Sequence, residues 1–123
     1  MTTMGLPDDD VRRQVFLDNL VSGNVAYQPL CTGIGLCRLN ASRKPGLALQ
    51  IAPEALQAGQ LERVLERRFA HAVVFDGCFV YLDTKGCLVI WHALAPNDQS
   101  VDDIIGRMLS LAKLETLDVY RAP

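Results

Sequence analysis

Two histidines, four cysteines and a run of three aspartates are the residues of this chain whose types could do chemistry. His71 and His92 would act as general bases only with a nucleophile or a substrate proton within hydrogen-bond reach, and no motif pairs either with a serine or a cysteine. Cys78 with His92, or Cys87 with His71, could meet only in space, because sequence spacing does not set such partners. A small cysteine-dependent enzyme therefore stays open to thiol titration, a reactive thiolate well below about pH 8 being its signature. The order Cys31, Cys37, Cys78, Cys87 fits neither a zinc knuckle nor a redox pair two residues apart. Cys37, Cys78 and Cys87 lie in apolar, strand-like contexts, where a free thiol behaves as a small hydrophobe. Gly33-Ile34-Gly35 lacks the third glycine and the Lys-Ser/Thr of a phosphate loop. Asp8-Asp9-Asp10 lacks the alternating ligands of a calcium loop and reads as the acidic opening of a helix. No catalytic residue, metal or cofactor is expected.

The elements around these residues follow from periodicity. Val11, Val15, Phe16 and Leu20, widened by Leu17 and Val21, give a helix over about 9–22, stopped by Gly23-Asn24. Val25 and Tyr27 could begin an extended piece that Pro29 interrupts. Leu36–Leu39 and Leu47–Ile51 read as a strand pair joined by the polar turn Asn40–Gly46. Pro53 and Glu54 suit a helix start, and Leu56, Leu61, Val64, Leu65 and Phe69 carry its apolar stripe to about Ala70. Gly59 weakens that start, and Arg63 and Arg67 fall on the solvated side. A short extended run over 72–75 follows. Cys78–Asp83 and Cys87–His92 then form a hairpin around Thr84-Lys85-Gly86, with Gly86 placed for the left-handed position of a three-residue loop. Ser100 opens a capping box for a last helix along Val101, Ile104, Ile105, Met108, Leu111 and Ala112. The sum is one α+β domain over 1–123, with 1–7 and 118–123 frayed. Three helices pack on a mainly antiparallel sheet in the order α-β-β-α-β-β-β-α.

Half of the 123 residues are hydrophobic, enough for a continuous core. Formal charge is −2, and basic residues run no longer than pairs, so the chain lacks the uncompensated cations a nucleic-acid surface needs. No apolar stretch reaches membrane-span length, and the N-terminus turns acidic where a signal peptide would be apolar. A cytoplasmic protein with reduced thiols is expected. Both faces of Phe79–Leu82 and Leu88–Trp91 are apolar, more than three short helices can cover, so a subunit or partner contact is expected there.

The order of elements, with the hairpin Phe79-Val80-Tyr81-Leu82-Asp83-Thr84-Lys85-Gly86-Cys87-Leu88-Val89-Ile90-Trp91 leading to Val101-Asp102-Asp103-Ile104-Ile105, resembles the class I chaperones of bacterial type III secretion. The likeness is closest over residues 77–114. It implies a non-enzymatic homodimer without cofactor that holds a polypeptide client of the secretion system. It further implies a dimer interface at Leu61, Val64, Leu65, Phe69, Phe79 and Tyr81. Client-binding grooves would involve Val15, Phe16, Leu36, Leu47 and Leu49, with strand addition as one mode of capture. A chaperone-like regulatory adaptor, binding a transcriptional activator or another secretion chaperone, is the alternative.

Overall fold

A computed structural model of the chain describes residues 6–94 and 101–117, with the side chains of the first helix from Arg12 onward. The expected capping role of Ser100 and the expected fraying at 1–5 and 118–123 lie outside these residues, whereas Leu6 and Pro7, expected to fray, are helical. Helix α1 (Leu6–Ser22) begins before the acidic run, so Asp8–Asp10 fall within its first turns and not at its cap. It ends as Gly23-Asn24 requires. Gly23 takes a φ of +86°, and the Asn24 N–H returns to the Asn19 carbonyl at 3.0 Å, the six-to-one bond of a Schellman stop. Its buried stripe is not the one that apolar residues alone predict. Phe16 and Leu20 face the core together with Arg13, whereas Val15 and Val21 point to solvent. Arg13 is tolerated there because its guanidinium lies 3.0 Å from the Asp102 carboxylate at the start of the last helix.

Strands β1 (Tyr27–Cys31), β2 (Ile34–Arg38) and β3 (Gly46–Ile51) form an antiparallel meander. β1 is a strand despite Pro29, because it lies at the sheet edge, where a missing N–H need not break a ladder on both sides. The second helix starts later than Pro53 suggests. Pro53–Ala55 make a single 3-10 turn, Gly59 takes a φ of +73°, and α2 runs Gln60–Ala70. The Gln60 side chain accepts from the Gln57 N–H at 2.9 Å, steadying that restart. Residues 72–75, expected to be extended, instead lie in a run of turns from 71 to 77. Only Phe75 of that run is buried, with no alternation to sustain a strand, and Gly77 at φ +91° redirects the chain. β4 (Cys78–Leu82), β5 (Leu88–Ala93) and α3 (Val101–Leu111) complete the chain.

The class is α+β as expected, three helices with a five-stranded antiparallel sheet. The order is α-β-β-β-α-β-β-α: no strand forms at 72–75 after α2, and the extended piece around Tyr27 is a full strand, β1, before it. In space the strands run β1-β2-β3-β5-β4. One face carries Leu36, Leu47, Leu49, Ile51, Leu88 and Ile90, against which all three helices pack. Each such side chain contributes roughly 1.5–3 kcal/mol by leaving water, so this face holds most of the stability. Two arginines fasten the helices end-on. Arg38 donates to the Leu20 carbonyl at 2.9 Å, and Arg67, expected on the solvated side, donates to the Ser110 and Leu111 carbonyls at 2.9 and 3.3 Å. Both place a cation at the last-turn carbonyls of a helix, where the dipole favours positive charge.

Candidate partner-binding surface

The opposite face of the sheet has no helix on it among the described residues. Ala48, Val89 and Trp91 are buried there under one another and under Cys37, Leu39, Ala41, Cys87 and Ala93. The face closes by laying large rings over small residues. Tyr27 lies over Gly35, and the Trp91 indole covers Gly46 so closely that no Cβ fits. The indole is held flat by its Nε1–H, which donates to the Leu39 carbonyl at 2.7 Å.

Among the described residues, six of the ten exposed large apolar side chains belong to β4, the end of α2 and the turns between them, the other four being Val15, Val21, Val25 and Tyr27 on α1 and at the start of β1. β4 is an edge strand of five residues without proline or charge, and it carries Phe79, Tyr81 and Leu82 at 59, 42 and 49 % exposure. The last turn of α2 lies against it, because Arg68 donates to the Cys78 carbonyl at 2.8 Å. That turn presents Phe69 at 81 % exposure, and the connecting turns present Val73 and Val74. An edge strand offers unpaired N–H and C=O groups to any chain that lies beside it, and large apolar side chains flank them here. At the far end the hairpin is firm. The Asp83 carboxylate accepts from the Lys85 and Cys87 N–H groups, both at 2.9 Å, and Gly86 takes the expected left-handed conformation at φ +86°. The Cys87 N–H bond, followed by that of Lys85, holds the Asp83 carboxyl below the usual carboxylate range. Asp83 is thus a turn residue.

Of the six residues expected at a dimer interface, Phe69, Phe79 and Tyr81 converge on this exposed end. Leu61 and Leu65 are half-buried on α2, and Val64 is 2 % exposed inside the chain's own core. Of the five expected to line client grooves, Phe16, Leu36, Leu47 and Leu49 are core residues of the helix-covered face, and Val15 alone is exposed. Sequence reasoning missed Val73, Val74 and Leu82. Their apolar runs were visible, but not which of those residues face solvent.

Cys78 and His92 do meet, as register partners across β4 and β5. The pair is not an activated nucleophile. Cys78 is buried, and desolvation pushes its thiol up to about 11 despite Arg107 and Arg68 nearby. His92 Nδ1 lies 2.7 Å from the Ala93 carbonyl, so that nitrogen is already engaged. Burial also raises the Cys37 thiol, and desolvation followed by the Asp83 charge raises that of Cys87. No group of three or more His, Cys, Asp or Glu among the described residues could hold a metal ion, and no described helix is long and apolar enough to cross a membrane.

No curated protein and no solved structure matches the chain significantly. A family model described as HrpV-like matches residues 9–117, from the first helix to the turn after the last. With all five strands, two helices and all but the first three residues of α1 inside that match, the chain belongs to the HrpV-like family, chaperone-like regulators of type III secretion, and no enzyme family is indicated.

Proposed function

We propose that this chain is a regulatory adaptor of a type III secretion system, holding another regulatory protein of that system against the β4 edge and the apolar end of α2. The observation that carries the reading is the open edge itself: a strand with no proline or charge, with Phe79, Tyr81 and Leu82 exposed along it and Phe69 beside it. Family membership supports a regulator over an effector chaperone. The burial of Phe16, Leu36, Leu47 and Leu49 supports it too, since these side chains are occupied by the chain's own core.

Sedimentation velocity on the purified chain, alone and mixed in turn with each regulatory protein of its secretion system, tests this. The expected result is a stoichiometric complex with one of them, lost in Phe79→Asp while the circular dichroism spectrum is unchanged. Self-association with no mixed complex would make the surface a homodimer interface. Capture of a secreted protein through its N-terminal region would make the chain an export chaperone. A complex that survives Phe79→Asp would move the binding surface away from β4.

A further inference from the structure

The helix-free face of the sheet carries a feature that the β4 edge does not explain. Between the tip of the β2–β3 hairpin and the aromatic side chains of β4 lies a groove of about 390 Å³, lined by Ala41, Ser42, Lys44, Phe79, Tyr81 and Trp91. Trp91 contributes a ring that cannot tilt, pinned by its bond to the Leu39 carbonyl and seated on Gly46. Phe79 stands beside it with ring centroids 6.0 Å apart and planes inclined at 48°, an arrangement open to a further apolar side chain. The opposite wall is a two-residue turn closed by reciprocal 2.9 Å bonds between Ala41 and Lys44. Its central residues Ser42 and Arg43 take φ of +50° and +69°. Such a turn is built most cheaply from Asn-Gly, so Ser-Arg here carries strain that the turn geometry alone does not reward.

Charge identifies the occupant. Lys44 is the one charged residue lining the groove, no carboxylate lines it, and Lys44 makes no ion pair among the described residues. Arg43 is exposed on the same tip. A second copy of the chain would bring the same cationic tip, which is poor complementarity for a symmetric contact. We propose that this groove is a docking site adjoining the β4 edge and sharing Phe79 and Tyr81 with it, taking an extended acidic peptide segment that sets one aromatic or large aliphatic side chain against Trp91 while a carboxylate beside it meets Lys44. This deepens the polypeptide-binding reading above and rests on it.

Trp91 is the chain's only tryptophan, so a single indole N–H resonance reports on the groove floor. Proton–nitrogen correlation spectra of the full chain would be titrated with the capped pentapeptide Glu-Phe-Glu-Leu-Glu and, separately, with Lys-Phe-Lys-Leu-Lys. The acidic peptide is expected to shift the Trp91 indole and the amides of 41–44 saturably, and the basic one to leave them in place. Lys44→Glu should weaken the acidic peptide at least about threefold, and Lys44→Met should do so less, since Glu reverses the charge at this exposed position and Met only removes it. Equal responses to the two peptides, no response to either, or indifference to Lys44→Glu would overturn the proposal. Shifts that follow the chain's own concentration would overturn it in favour of self-association. If a regulatory partner binds wild type and Lys44→Glu alike and the acidic peptide is silent, the groove proposal fails while the β4-edge reading stands. If no regulatory partner binds at all, that reading fails with it.

Discussion

The two edges of the sheet are built to opposite ends. β1 carries Pro29 in its middle, and its register against β2 shifts between Pro29 and Cys31. Tyr27 is folded back over Gly35 at its start. β4 pairs with β5 in unbroken register from Cys78↔His92 to Leu82↔Leu88, lacks proline, and exposes two aromatic side chains along its length where β1 exposes Tyr27 alone. Proteins ordinarily blunt an exposed edge because it templates pairing with other chains. This chain blunts one edge and leaves the other open, so the open edge reads as an interface and not as an oversight of the fold.

The sharpest break of that comparison is a charge placed on each side. Phe79→Asp should lower the affinity for a regulatory partner about a hundredfold or more, because a large aromatic side chain in the middle of an interface carries an outsized share of its binding energy. Val25→Asp, next to β1 and 92 % exposed, should leave it unchanged. Isothermal titration of both variants checks the pair, and equal losses would erase the distinction between the edges.

The same asymmetry should appear in stability. Gly46→Ala forces a methyl into the pinned Trp91 ring, and overpacking of this kind costs about 1–3 kcal/mol. Gly35→Ala meets the Tyr27 ring, whose hydroxyl lies 2.7 Å from the new carbon, but Tyr27 is largely exposed and can swing aside. It should cost less than about 1 kcal/mol, the range of ordinary surface changes. Urea midpoints of the two variants separate a rigid β5 side from a yielding β1 side.

What was legible in the sequence was local. The hairpin around Thr84-Lys85-Gly86, the stop at Gly23-Asn24, the end of α2 at Ala70 and the buried stripe of α3 all follow from neighbours within a few residues. The misses depend on distant parts. Pro29 could be strand only because β1 is an edge, which no local pattern states. Arg13 is buried by Asp102, 89 positions away, and Arg67 is fixed by the Leu111 carbonyl, 44 positions away. In α1 apolar residues cover more than one face, so only the packed core decides that Phe16 turns in and Val15 turns out. The candidate surface was half legible for the same reason: Phe69, Phe79 and Tyr81 were named, but the exposure of Val73, Val74 and Leu82 depends on how α2 leads into β4.

A smaller effect ties the open edge to pH. The folded-state pKa of Asp83 is lowered, so the carboxylate contributes stability above its unfolded pKa near 4, and that contribution is lost as pH falls through the lower folded value. The β1–β2 turn relies on Gly33 at φ +82° and holds no such carboxylate. Denaturation midpoints of wild type and Asp83→Asn, measured from pH 6 to pH 2, should therefore converge as acid removes the wild-type advantage. A constant gap between them would mean that the charge on Asp83 does not hold the β4–β5 turn.

The least disruptive variant is the one that removes the guard. Pro29→Val restores an N–H and a β-branched side chain at the middle of β1 while leaving its pairing with Gly35 in place, so stability should change by no more than about 0.5 kcal/mol. Its consequence should lie in association, because a second open edge then sits opposite the first. With β4 occupied by its regulatory partner, wild type should stay a single complex across concentrations in sedimentation velocity, and Pro29→Val should form larger species through β1. If the variant stays as monodisperse as wild type, Pro29 is not what keeps that edge closed. The blunting would then belong to the register shift between Pro29 and Cys31 and to the fold of Tyr27 over Gly35, both of which survive the substitution.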